Sequence, residues 1–224
     1  MKRKMLLAVT AVLVLICATC ALVACNPRGG SNDAAPDNVS RTTDAYFAGE
    51  SDCFAVSIEF GKREKIFIAD GKATDIENFV QITVTPLKSN KYDGISFVIA
   101  AGEENTLSGE VTSSDYGEYT ATIELGFTPE TVTLTAGEET SEIELANILE
   151  GALSVADVVN IAKEAFKDKI EQEAADGKAE REIYVKLITG DRESYFYYVS
   201  FIGDGVDYWA MLIDPKTGDI VSKR

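Results

Sequence analysis

The chain reads as mainly β over its first two thirds and as a small α+β unit at its C-terminal end. Three observations carry that reading. From about residue 46 to 148, apolar and polar residues alternate with a period of two. At Ser154 the period changes to that of a helix and holds to Ile170. Three more apolar, aromatic-rich stretches follow, separated by turn residues. The expected architecture is an antiparallel β-sandwich over residues 45–148, then one helix on a three-stranded antiparallel sheet over residues 152–224.

The N-terminus is a separate matter. Lys2, Arg3 and Lys4 precede an uncharged run from Met5 to Ala24, the layout of an export leader. Residues 22–25 read Leu-Val-Ala-Cys, which resembles the lipobox of bacterial lipoproteins. That resemblance implies a diacylglyceryl group on Cys25, cleavage before it, and a leader of residues 1–24. Two acyl signals hold a protein stably where one does so only marginally. A weaker look-alike ends at Cys20 and has Cys17 where leucine is usual. An uncleaved transmembrane helix is the competing reading, since about 20 apolar residues can span a bilayer. Both readings put residues 26–224 on the extracytoplasmic side of the cell membrane. Gly, Pro, Ser, Asn and Asp dominate after Cys25, so residues 25–44 read as a flexible tether.

Along the β region, Phe54, Val56, Ile58 and Phe60 share one face of a strand. The stretch Gly61–Glu64 reads as a turn, and Ile66 and Ile68 fall in the strand after it. Lys62, Arg63, Glu64 and Lys65 read as a solvated hairpin tip, with a recognition loop as the alternative. Val80, Ile82 and Val84 mark a third strand that Pro86 stops. Ile95, Phe97 and Ile99 mark a fourth, and Leu107 with Val111 a weaker one. Tyr119, Ala121, Ile123 and Leu125 alternate clearly. Val132 with Leu134, then Ile143 with Leu145, close the series. Short strands at this spacing point to a sandwich. Residues 115–121, DYGEYTA, resemble the tyrosine corner of immunoglobulin-like domains, with Tyr119 as the corner residue. Ala121 stands where those domains carry a cysteine.

In the C-terminal unit, Val155, Val158, Val159, Ala162, Ala165, Phe166 and Ile170 form one helical face. Ser154 and Asp157 make its start, and Gly177 its stop. Strands follow at Ile183–Leu187, at ESYFYYVSFIG and at DYWAML. Asp214-Pro215-Lys216-Thr217-Gly218 is a tight turn. The order helix-strand-strand-strand, with IAKEAF early and YWAMLIDPKTGDIV late, resembles the PepSY family. The closing turn, with Asp214, Thr217 and Gly218, is the most specific part. The resemblance implies a binding or regulatory module, of a kind proposed to restrain peptidases.

Composition narrows the function. The chain has no histidine, which removes the Ser-His and Cys-His nucleophilic arrangements and the usual zinc ligand sets. Of four cysteines, Cys17 and Cys20 leave with the leader and Cys25 carries lipid, so Cys53 stays a free thiol in a half-buried position. A net charge of −16 repels nucleic acid. The acidic segments AGEEN, SSDYGE and GDGVD lack ordered calcium-ligand spacing and read as turns. No metal or cofactor is expected.

Aromatic residues supply both faces of the C-terminal sheet, and one helix can cover only one of them. Tyr195, Tyr197, Tyr198, Tyr208 and Trp209 are therefore the candidate partner face. The expected function is a non-catalytic, lipid-anchored envelope protein that binds a protein or peptide, such as an envelope peptidase. The alternative is a cell-wall or carbohydrate-binding surface protein. A hydrolase working through carboxylates alone is the third reading, and it requires two facing carboxyl groups across a cleft.

Overall fold

In the computed structural model, residues 37–88, 91–114, 117–189, 194–204 and 207–224 are described. Cys25, the leader, most of the expected tether and Asp115 of the DYGEYTA stretch lie outside the described residues. The described chain is mostly strand. Among the described residues, twelve of thirteen strands follow one hydrogen-bonded path, the other pairs beside it, and two helices accompany them.

β1 (Val39–Glu50) and β2 (Phe54–Glu64) form a long hairpin. Its turn is built on Ser51, whose hydroxyl accepts from the amides of Cys53 and Phe54. The first half of β1, residues 39–44, lies in the expected tether. β2 does not turn at Gly61–Glu64. It continues through those residues, paired with β3 (Ile76–Pro86) from Phe54 opposite Pro86 to Glu64 opposite Ile76. Burying Ile82 and Val84 beside Val56 and Ile58 fixes this register, because a one-residue slip would turn them outward. Residues 65–75 are left over as a loop, so Ile66 and Ile68 are not in a strand. They are 75% and 58% exposed.

β6 (Tyr119–Ile123) adds to β3. β5 (Asn105–Ser113) meets β6 only at Thr112 and Ser113 but runs the length of β4 (Ile95–Ala101). β7 (Thr131–Ala136) and β8 (Glu139–Glu144) continue outward from β4, and β9 (Ala146–Asn147) returns to β1. Inward residues of the two stretches meet in one core: Phe54, Val56, Ile58 and Ile82 with Ile95, Phe97, Ile99, Val132 and Leu134. Tyr119 is buried there. Its hydroxyl accepts from the Tyr92 amide and donates to the Tyr92 carbonyl, both at 2.8 Å. A corner tyrosine bonds only a few residues upstream, so this one ties down a more distant segment.

β1 serves both halves of the path. Its register against β2 shifts between Thr43 and Ala45, a bulge at Asp44. A bulge bends its strand and tightens the twist. Gly61, opposite Thr43, admits it, since a Cβ there would lie 2.0 Å from the Thr42 carbonyl oxygen. Beyond the bulge, Val39 and Arg41 pair in parallel with Ile183 and Tyr184 of β10 (Glu182–Thr189). The buried Thr43 hydroxyl donates to Glu59 at 2.6 Å and accepts from the Leu187 amide at 3.0 Å.

β11 (Tyr195–Ile202), β12 (Tyr208–Ile213) and β13 (Ile220–Lys223) follow β10, all antiparallel. The unit therefore has four strands of its own where three were expected. It also has two helices where one was expected: α1 (Val155–Ala165) and α2 (Lys167–Ala175), interrupted at Phe166. The Phe166 ring lies against Phe201 and Trp209, at centroid distances of 5.6 and 5.5 Å. α1 starts as expected, with the Ser154 hydroxyl accepting from the Asp157 amide. Its Val158, Val159 and Ala162 bury against Val185, Val199 and Met211 in a second core. α2 buries no residue.

Candidate functional site

Alternation along β10–β12 sorts the aromatic residues. Tyr197 and Trp209 face α1 within the second core, and Tyr195 packs at its margin, edge-on to Tyr46 at 5.9 Å. Burial pushes the Tyr197 phenol up to about 12. Tyr198 and Tyr208 point to the opposite face. The five residues expected to form one partner face are thus divided between two, and only Tyr198 lines the first cleft described below.

That cleft lies on the face of β10 and β11 turned away from α1, and it holds about 350 Å³. Tyr184, Tyr198, Ser200 and Ile202 form its sheet wall. Ser40 and Arg41 of β1, Arg63 and Glu64 of β2, and Phe67 of the 65–75 loop complete it. Phe67 meets Tyr184 edge-on at 5.7 Å. The Arg41 guanidinium sits over the rings of Phe79 and Tyr184, 4.7 and 5.8 Å from their centroids. Burial raises the Tyr184 phenol, and the Arg41 charge acts in the opposite sense.

Polar accounting distinguishes this cleft. Among the described residues, the buried side-chain polar atoms without a hydrogen-bond partner are Arg41 Nε, Glu64 Oε2 and both carboxylate oxygens of Glu182. Such atoms are uncommon in folded proteins and ask for a cause. Arg41 and Glu64 line the cleft. Glu182 is one alternation from Tyr184 along the same face of β10, opposite Ile202. Glu64 Oε1 is satisfied by the Thr74 amide at 2.5 Å, which leaves Oε2 free. Glu182 is fully buried. Burial raises its carboxyl above the ordinary range, with Glu64 and Asp70 adding to the effect. Ser40 and the Gly71 backbone act to lower it, against the larger effect of burial. Arg41 and Glu64, each with a buried polar atom lacking a partner, thus line one aromatic-walled cleft.

A second, wider cleft of about 540 Å³ lies beside α2, with Trp209 and Phe201 in its lining. In its lining, Arg181 and Lys178 both pair with Glu173. The Arg181 guanidinium donates to Glu173 at 2.6 and 2.7 Å and stacks 4.0 Å over Trp209. Trp209 is 9% exposed, so it braces the helices more than it offers a surface.

The Asp214 turn is structural. The Asp214 carboxylate accepts from the amides of Lys216 and Thr217 at 2.8 Å, and these bonds, Thr217's first, hold it below the usual carboxylate range. Gly218, at φ +78°, leaves room for Ile161 and Leu153 of the helical side. Cys53 is a half-buried free thiol with Lys88 Nζ 3.1 Å away. Among the described residues, no group of three or more metal-ligating side chains is placed to hold a metal ion, and no helix is long and apolar enough to cross a membrane.

Sequence reading missed Arg41, Phe67 and Tyr184. Arg41 lay in the expected tether and Phe67 in an expected strand. Tyr184 was visible as the residue between Ile183 and Val185, on the face no helix covers. Arg63 and Glu64 were in the alternative recognition loop, and both line the cleft. No family model, no curated protein and no solved structure matches this chain.

Proposed function

We propose that this chain is a lipid-anchored protein on the extracytoplasmic face of the cell membrane that binds a peptide or a protein segment without transforming it. The ligand occupies the cleft between Tyr184, Tyr198, Phe67 and Arg41. The observation that carries this reading is that Arg41 and Glu64, each with a buried polar atom lacking a hydrogen-bond partner, both line one aromatic-walled cleft. A peptide group supplies one carbonyl and one N–H, and a chain terminus or apolar side chain can rest on the rings. An envelope peptidase restrained through such a segment is the partner class that fits the PepSY-like reading.

Within this proposal the first half is an immunoglobulin-like sandwich and the last third a PepSY-like module. The two inward-facing strand sets of the first core support the sandwich. The docking of the Asp214–Gly218 turn on the helical side supports the module, while its second helix and fourth strand depart from the simplest form. This cleft does not favour the carboxylate-hydrolase reading, because Glu64 is the one carboxylate in its lining among the described residues and such hydrolysis needs two.

The test is binding of synthetic tetrapeptides, with free and amidated C-termini, followed by calorimetry on the wild type, Tyr198→Ala and Tyr197→Phe. Peptide binding that Tyr198→Ala abolishes and Tyr197→Phe preserves supports the proposal. Retention on insoluble peptidoglycan with no peptide binding would replace it with the wall-binding alternative.

A further inference from the structure

We propose that the 65–72 segment is a membrane-contact loop that rests in the headgroup region of the bilayer to which the chain is anchored. The inference rests on the reading of Cys25 as the lipid anchor and adds a second contact beside it. Its first support is exposure. Among the described residues, four of the eight exposed large hydrophobic residues cluster at this loop: Ile66, Phe67, Ile68 and, at its base, Ile76. Three consecutive apolar side chains are 75%, 51% and 58% exposed, although the chain buries alternate residues of β2 and β3 on either side. An exposed apolar patch of this kind marks an interaction site.

The second support is where the chain enters. Asn38 donates to the Gly71 carbonyl at 2.9 Å and accepts from the Ala73 amide at 2.8 Å. The start of β1 is therefore fastened to this loop. The stretch from Cys25 to Asn38 cannot reach beyond about 45 Å even fully extended. A bilayer holding Cys25 is thus kept within that reach of the point where Asn38 joins the loop, which reduces the ordering that a loop contact costs.

Charge is the third support. In a chain of net charge −16, residues 62–72 carry Lys62, Arg63, Lys65 and Lys72 against Glu64 and Asp70. Glu64 is 5% exposed and Arg63 pairs with Glu77, so Lys62, Lys65 and Lys72 stand against Asp70 as the other charges of the segment. Apolar side chains flanked by lysines are the composition that settles at a membrane interface, with the ammonium groups toward anionic headgroups. The rest of the acidic surface is repelled by such lipids, which orients the molecule with this loop inward.

The experiment uses the full chain, purified from membranes and reconstituted into vesicles of phosphatidylglycerol and phosphatidylethanolamine with brominated acyl chains. Ile66→Trp is the reporter, because that position is exposed and outside the cleft, while the native Trp209 is buried. The expected result is a blue-shifted emission for Ile66→Trp, quenched at least twofold more than the wild type, with the quenching reduced in pure phosphatidylcholine. A reporter emission unchanged from that in water overturns the proposal. So does a blue shift without bromine quenching, which would assign the loop to a protein partner. The mass of the N-terminal peptide tests the anchor separately. Lipid on Cys25 with an unquenched reporter rejects the loop contact alone; an unmodified Cys25 with a quenched reporter rejects the anchor alone.

Discussion

Arg41 Nη2 lies 3.0 and 2.9 Å from the two carboxylate oxygens of Glu59, across the β1–β2 pair. The side chains are 13% and 9% exposed, so both charges have left water. Such a pair gives little net stability over apolar residues, but losing one member strands the other. Glu59→Ala is expected to cost about 3–5 kcal/mol, read as a lower urea midpoint. Arg41→Met with Glu59→Met should recover most of that loss. A double variant as unstable as the single one would mean that the contact of Glu59 with Thr43 sets the cost.

Glu173 gives a prediction at the acid end. Hydrogen bonds from Arg181, and then from Lys178, pull its carboxyl from 4.5 down to about 2, against partial desolvation. A depressed carboxyl contributes stability that is complete above its unfolded value and is lost as the pH falls toward its folded one. Glu173→Gln should therefore be less stable than the wild type near neutral pH. Its urea midpoint should also fall less steeply between about pH 5 and pH 2. A variant that declines as steeply as the wild type would place the acid-side loss elsewhere.

Much of the fold was legible in the sequence where one face of an element is buried. Ile95, Phe97 and Ile99, or Val158, Val159 and Ala162, announce their periods because water is on the other side. β1 was not legible over residues 39–44. Its buried positions there include Ser40, Thr42 and Thr43; the hydroxyls of Ser40 and Thr43 bond β10, far away in sequence, and that of Thr42 accepts from the Lys62 amide of β2. The bulge at Asp44 also breaks the alternation. The cleft was illegible for the same reason. Its walls come from β1, β2, β10, β11 and a loop, and only the parallel pairing of β1 with β10 brings Arg41 to Tyr184. The aromatic count along β11 and β12 was correct, but alternation divides it between two faces.

Gly61 permits the bulge that sends β1 into the second half of the sheet. Gly61→Ala would put a Cβ 2.0 Å from a backbone oxygen of Thr42, which no side-chain rotation relieves. The expected cost is about 2–3 kcal/mol, measured by thermal and urea unfolding. Gly126→Ala is the control, since nothing lies within 4 Å of a Cβ there, and it should stay within about 0.5 kcal/mol of the wild type. Equal stability of the two variants would show that the strands can separate at the bulge without cost.

Glu182 gives the opposite tilt to Glu173. Its carboxyl is fully buried, without a hydrogen-bond partner, and raised by that burial first and by Glu64 and Asp70 next. A raised carboxyl contributes stability while protonated, and that contribution is lost as the pH rises through its folded value. Glu182→Gln keeps the shape and cannot ionise. It should have a higher urea midpoint than the wild type at about pH 8 and should approach it as the pH falls into the carboxylate range. The variant should also flatten the alkaline limb of the profile while leaving the Glu173-dependent acid limb in place, because the two groups titrate through different contacts. An alkaline limb identical in the wild type and Glu182→Gln would mean that the buried carboxylate is already compensated, and the idle acceptors could no longer be counted toward a ligand.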